Sequence, residues 1–159
     1  MQFREMITPT QLSLFSRSPV VGAWWEELAS RDLFKGQRPE PSALDQKLFD
    51  DGLRHEELLI KKFEKQGFRV AHLAGKQRES DYSDTKDAIA DGYDFIWQAS
   101  LSNDEMRGSA DLLRKVDGSS SIGGWSYQPI ECKLASKAKT TFLVQASAYC
   151  ELLTPILNK

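Results

Sequence analysis

Three stretches of this 159-residue chain read acidic-x-Lys: Asp45-Gln46-Lys47, Asp84-Thr85-Lys86 and Glu131-Cys132-Lys133. A carboxylate beside an ammonium can help hold a divalent cation, position water or stabilise charge on a phosphate. The pattern carries chemistry only where both groups reach one place. The first two stretches fall in predicted helices, where residues two apart point in different directions. The third falls in a predicted strand, where residues two apart share a face. Ile130, Cys132 and Leu134 would then turn to the core. Only Glu131 and Lys133 are expected to stand together over a site.

A second carboxylate comes from Gly108-Ser109-Ala110-Asp111. The glycine leaves room for another group to approach closely. If this strand pairs antiparallel with the Glu131 strand, Asp111 lies near Glu131. Facing carboxylates repel, and a hard divalent cation relieves the repulsion. His55 falls on the apolar stripe Leu44, Leu48, Leu59, Phe63 of a long predicted helix, so it is expected to point inward as a third ligand. Taken alone, a histidine there is more often a satisfied core residue. Gln145 and Tyr149 sit four apart and share one face of the last helix.

The elements that must position these groups follow from caps, breakers and periodicity. Thr8-Pro9-Thr10-Gln11 is a helix start, with a short helix to about Phe15. Ser18-Pro19 restarts the pattern, and a helix through Val21, Trp24, Trp25 and Leu28 is expected, then a loop over Lys35–Pro41. Ser42 opens the long helix, with Asp45 in its first turn and Gly67 as a left-handed stop. Strands are expected over Phe68–Leu73, Tyr93–Leu101, Arg107–Val116 and Trp125–Leu134. The last two flank a Gly/Ser-rich turn over Asp117–Gly124. A small helix over Ser83–Ala90 and an apolar helix over Thr141–Leu153 complete the pattern. Its fold class is α/β or α+β: one domain with a mixed central sheet flanked by helices.

Composition bounds the function. The chain carries 40% hydrophobic and 28% charged residues, as a soluble domain does. It lacks an apolar run long enough to span a bilayer and a secretion-signal layout at the N-terminus. Cys132 and Cys150 are the only cysteines and do not form a Cys-x-x-Cys pair. That predicts a reducing, cytoplasmic setting and excludes an all-cysteine metal site. A formal charge of -2 does not advertise a nucleic-acid partner. Charge is local, however: Lys133, Lys137 and Lys139 form one basic cluster, and Arg107, Arg114 and Lys115 another. Solvated faces are the plainer reading of both.

The ordered set His55, Gly108-Ser109-Ala110-Asp111, Glu131-Cys132-Lys133 and Gln145-Ala146-Ser147-Ala148-Tyr149 resembles the RecB-like branch of the PD-(D/E)XK nucleases. That branch is marked by a helical His, then G-x-x-D, E-x-K and Q-x-x-x-Y. Thr8-Pro9-Thr10-Gln11-Leu12, Ser18-Pro19 and the segment Asp91 to Ala99 also look like RecB-like domains of larger, helicase-bearing proteins. Each motif is weak by itself; four in order, over nearly the whole chain, are specific.

The resemblance implies a restriction-endonuclease-like core over residues 42–159 behind a helical N-terminal extension over 1–41. It implies a Mg2+- or Mn2+-dependent DNA nuclease hydrolysing phosphodiester bonds, an exonuclease of repair or recombination acting on single strands or ends. Asp111 and Glu131 would hold the metal, with His55 and the Cys132 carbonyl as further ligands. Lys133 would orient or activate the attacking water and help neutralise the phosphate, while Gln145 and Tyr149 would contact DNA or steady the motif strands. A helicase domain in the same or a partner polypeptide would be the protein partner, with no membrane involved. Some relatives carry an iron–sulfur cluster; Arg17-Ser18-Pro19 lacks the upstream cysteine and none follows Cys150, so no cluster is expected. Relatives continue beyond the last helix, so the chain is expected to be truncated at its C-terminus. The alternative is an inactive DNA-binding or scaffolding module that keeps the fold.

Overall fold

A computed structural model describes residues 6–20, 23, 40–76, 78–133, 135 and 137–157. Four helices and four strands are named among them. They run α1 (Pro9–Arg17), α2 (Ala43–Lys65), β1 (Val70–His72), α3 (Glu79–Ala90), β2 (Phe95–Ser102), β3 (Arg107–Ser120), β4 (Gly123–Ile130) and α4 (Thr140–Leu157). The architecture is α+β. The sheet has the order β1-β2-β3-β4, with β1 parallel to β2 and the other pairs antiparallel. The helix expected through Val21, Trp24, Trp25 and Leu28 lies outside the described residues, as does Leu134.

Local chemistry explains where the elements begin and end. The Thr8 hydroxyl accepts the Gln11 N–H at 3.2 Å, while Gln11 Oε1 accepts the Thr8 N–H at 2.8 Å. Ser42 and Asp45 repeat this capping box at the start of α2. Reciprocal bonds of this kind satisfy N–H groups that a helix start leaves unpaired. Gly67, at φ +89°, turns the chain out of α2, and the Phe68 N–H returns to the Phe63 carbonyl at 3.2 Å. A side chain at that φ would strain the backbone. Phe63 then stacks on Phe95 with ring centroids 4.1 Å apart. The stacking fastens the C-terminal end of α2 to the sheet.

Helices cover both faces of the sheet. On one face Ile96, Ala99, Leu101, Ala110, Leu113 and Tyr127 pack with Ala88 and Ile89 of α3 and with Tyr149, Leu152 and Leu153 of α4. On the other, Phe95 and Leu112 pack with Ile60 of α2, flanked by Leu59, Phe63, Trp97, Ile130 and Cys132. The β3–β4 hairpin is tighter than expected. The ladder reaches Ser120↔Gly123 after a bulge beyond Asp117. The turn is therefore Ser121-Ile122 alone rather than the whole Gly/Ser-rich segment. Glycine and serine content marks a turn region but does not exclude strand pairing within it.

The inward face of α2 differs from the expected stripe. Leu44 and Leu48 are exposed, as is His55, while Glu56 and Ile60 are buried. Neighbouring residues on a helix lie about 100° apart, so a helix that turns Glu56 inward turns His55 away. Ile60→Ala is expected to cost about 2–5 kcal/mol, as large-to-small core changes do. Leu48→Ala is expected to stay within about 0.5 kcal/mol. Urea denaturation measures both, and a larger loss at Leu48 would restore the other phase.

Candidate active site

Continuing the register Leu112↔Ile130 by one step sets Asp111 opposite Glu131. The ladder stops there. Strand β4 ends at Ile130, short of the expected Leu134, and the Asp111 carboxylate takes the place of a ladder partner. Its Oδ2 accepts the Cys132 backbone N–H at 2.9 Å. The same oxygen accepts from Lys133 Nζ at 3.0 Å, and that ammonium also meets Glu131 Oε2 at 2.8 Å. Asp111, Glu131 and Lys133 therefore form one cluster. Glu131 and Lys133 still share a side although they lie past the strand, because the chain stays tethered in register. Ile130 and Cys132 pack on the α2 face.

Burial gives these charges their character. Glu131 is only 9% exposed, and desolvation lifts its carboxyl above the ordinary glutamate value. The Lys133 bond opposes that rise, and the charges of Asp111 and Glu56 add to it. Burial by itself would lower the Lys133 value, but its bonds to Glu131 and Asp111 and their charges outweigh that, and the net shift is upward. Lys133 is thus an ammonium at neutral pH: a donor and a positive charge, not a ready base. Because its folded pKa is raised, the stabilisation from this pairing is fully present below the ordinary lysine pKa. It is lost as pH climbs through the raised value, in alkali.

A third carboxylate belongs to the neighbourhood. Glu56, itself 9% exposed, adds its negative charge at Glu131 and at Cys132. Its Oε2 accepts from Trp97 Nε1 at 2.9 Å and from Gln98 Nε2 at 2.7 Å. The expectation of an inward His55 is thus corrected by one residue, since a carboxylate and not an imidazole leaves α2 for this side of the sheet. The signal was present in the sequence. Glu56 precedes Ile60 by four and Phe63 by seven, so it falls on their stripe.

Asp111 and Gln98 occupy the same level of the sheet. The β2–β3 register pairs Trp97↔Leu112 and Ala99↔Ala110 and omits the pair between them, Gln98 with Asp111. Gln98 has φ +57°, the one non-glycine positive φ among the described residues. Such a conformation costs roughly 1–3 kcal/mol and persists only where surroundings enforce it. Side-chain alternation slips here. Ile96 and Ala99, three apart, share one core, and so do Ala110 and Leu113, whereas a regular strand pairs residues two apart.

The remaining motif residues act on the strand that carries Asp111. The Tyr149 hydroxyl donates to the Ser109 carbonyl at 2.6 Å, two residues from Asp111. A Cβ added to Gly108 would meet Pro9 Cδ at 2.8 Å and Tyr149 Cε1 at 3.0 Å. The glycine thus admits α1 and the tyrosine ring together. Gln145 is placed differently: its Nε2 donates to Thr10 Oγ1 at 3.2 Å and so ties α4 to α1. Ser109 Oγ is buried without a hydrogen-bond partner.

Among the described residues, no group of three His, Cys, Asp or Glu side chains is gathered tightly enough to hold a metal as it stands. The donor chemistry nevertheless suits a hard cation. Asp111, Glu131 and Glu56 present carboxylate oxygens, and the Lys133 ammonium offsets only one of the two negative charges of Asp111 and Glu131. Comparison of the chain with protein-family models finds no match, nor does comparison with curated proteins or with solved structures.

Two measurements check this arrangement. Gly108→Ala is expected to lose roughly 1–3 kcal/mol through overpacking, read as a lowered urea midpoint. The Cys132 thiol is pushed up to about 12 by burial and by the Asp111 and Glu56 carboxylates. On the order of 10⁻⁴ of it is thiolate at pH 8, and thiolate is the reactive form. Iodoacetamide is expected to label the exposed Cys150 first and Cys132 only in denaturant. Equal labelling of the native protein would contradict the half-buried setting of Cys132.

Proposed function

We propose that the chain is a metal-dependent deoxyribonuclease with a restriction-endonuclease-like core of the RecB-like kind. It hydrolyses DNA phosphodiester bonds, as an exonuclease on single strands or ends in repair or recombination, beside a helicase domain. The observation that carries this reading is the single Lys133 ammonium held by Asp111 and Glu131. It joins the G-x-x-D and E-x-K segments into one half-buried acidic site. Tyr149 on the Ser109 carbonyl supports the same reading, because it braces the strand bearing Asp111.

In this proposal Asp111, Glu131 and Glu56 hold Mg2+ or Mn2+, with the Cys132 carbonyl as a further oxygen donor. Glu56 takes the part first expected of His55. The bound ion would supply Lewis acidity at the phosphate and make the attacking water more acidic. Lys133 then turns from its two carboxylates to the scissile phosphate and donates to a non-bridging oxygen as charge builds there. The water oxygen attacks phosphorus in line. The P–O bond on the opposite side breaks, the water proton passes to a neighbouring carboxylate or to solvent, and the departing alkoxide takes up a proton. Lys137 and Lys139, beyond the site, give the DNA backbone a basic approach.

The test is cleavage of labelled single- and double-stranded DNA with Mg2+, with Mn2+ and with EDTA. EDTA is expected to abolish cleavage, and Glu131→Gln and Lys133→Ala each to lower the rate by at least about 10²-fold, the scale of a lost charge stabiliser. Cleavage that survives EDTA and both variants would put the chemistry elsewhere. One observation favours the second reading, a non-catalytic DNA-binding or scaffolding module. The Lys133 ammonium already pairs with both Asp111 and Glu131 and offsets one of their two negative charges. DNA binding without Mn2+ binding in calorimetry would favour that module.

A further inference from the structure

We infer that Gln98 is a positioning residue for Glu56. Its left-handed backbone turns two consecutive side chains, Trp97 and Gln98, onto one carboxylate oxygen and leaves the other oxygen for a divalent cation. The inference rests on the metal-dependent reading above and goes beyond it. It assigns a role in cation binding to a residue outside the four ordered motifs and the site residues expected from them.

In a regular strand, Trp97 and Gln98 would project to opposite faces of the sheet. Here both donate to Glu56 Oε2, at 2.9 and 2.7 Å. Trp97 belongs with the apolar cluster under α2, whereas Ala99 belongs with the opposite core. The slip needed to bring Gln98 round to the side of Trp97 is located at Gln98 itself, at φ +57°. A glutamine takes up that conformation only under constraint.

The surroundings are shaped around the turned side chain. A Cβ on Gly75 would lie 2.7 Å from Gln98 Oε1 and 3.0 Å from Gln98 Cβ, so only a glycine fits beside it. Gly75 itself sits at φ +62°. The slip falls at the level of Asp111, the residue that Gln98 would oppose in the β2–β3 ladder. One irregularity therefore frees Asp111 from regular pairing with β2 and fixes Glu56 above the same stretch of sheet. Two N–H donors on one oxygen fix the rotation of a carboxylate. Donors that orient metal-ligating carboxylates commonly set affinity by 10–100-fold.

The test compares Mn2+ affinity, by calorimetry, with melting temperature in the whole chain. Gln98→Gly accepts the left-handed backbone without strain and removes the donor. Gln98→Asn also tolerates that backbone, and its amide falls one methylene short of Glu56. Both are expected to hold or raise the melting temperature while weakening Mn2+ binding about 10–100-fold. A role limited to packing would leave the affinity unchanged. Adding Gln98→Gly to Glu56→Gln is expected to cause little further loss, because Gln98 acts through Glu56. If the wild-type chain binds Mn2+ and both Gln98 variants bind it equally well, or if the two losses add, the positioning role is overturned and the metal site stands. If the wild-type chain binds no Mn2+, the metal-dependent reading fails and this inference fails with it.

Discussion

Like charges drawn out of water into one place must be neutralised, and the organisation of this molecule turns on how that is done. Asp111 and Glu131 face each other where the β3–β4 ladder ends, and Glu56 adds a third negative charge from α2. Each answer is local. Lys133 spans the first two, the Cys132 N–H takes a share of Asp111, and Trp97 and Gln98 hold Glu56. Removing one partner from such a group leaves an uncompensated buried charge, which is far costlier than losing a surface ion pair. The apolar layers on both faces of the sheet provide the rigidity that keeps these groups together.

Much of this could be read from the residues, because the strongest signals are local. Ser42, Asp45 and Gly67 bracket α2 through capping and left-handed turning, and both ends fell where expected. Strand periodicity does not by itself account for Glu131-Cys132-Lys133, because β4 ends at Ile130 and these three residues lie beyond it. Asp45–Lys47 and Asp84–Lys86 do lie in helices, while Glu131 and Lys133 share one ammonium-bridged site. The phase of α2 differs from the expected one because Leu44 and Leu48 are apolar yet exposed, while Ile60, off the expected stripe, is buried. The slip at Gln98 left no trace in composition or spacing. A left-handed glutamine is imposed by tertiary contacts, and single-residue propensity argues against it.

The G-x-x-D and Q-x-x-x-Y patterns acquire a physical meaning beyond their resemblance to a family. Gly108 has no side chain because Pro9 and Tyr149 both occupy the space where one would stand. Tyr149 is fixed in turn by the Ser109 carbonyl. Gln145 reaches toward α1 instead of the carboxylates, so the two residues of one motif serve different ends. In the nuclease reading, the residue of α2 that would help hold the metal is Glu56, one position after the histidine of the resemblance. The site then has an all-oxygen donor set, which suits Mg2+ and Mn2+ better than a softer ion.

The contact between α1 and α4 also bears on the order in which the molecule assembles. Thr10 and Gln145 are 135 residues apart in sequence, and Trp97 and Gln98 meet Glu56 across 41 and 42 residues. The β3–β4 hairpin closes over a two-residue turn. Loop-closure entropy favours the short connection first and defers the long ones. The hairpin carrying Asp111 toward Glu131 can form while Glu56 is still distant and Gly108 is not yet covered. Glu56 joins the Asp111–Glu131–Lys133 cluster only once α2 has docked on the sheet and reached Trp97 and Gln98. The acidic centre is thus a product of complete folding, and a nascent or partly unfolded chain does not possess it.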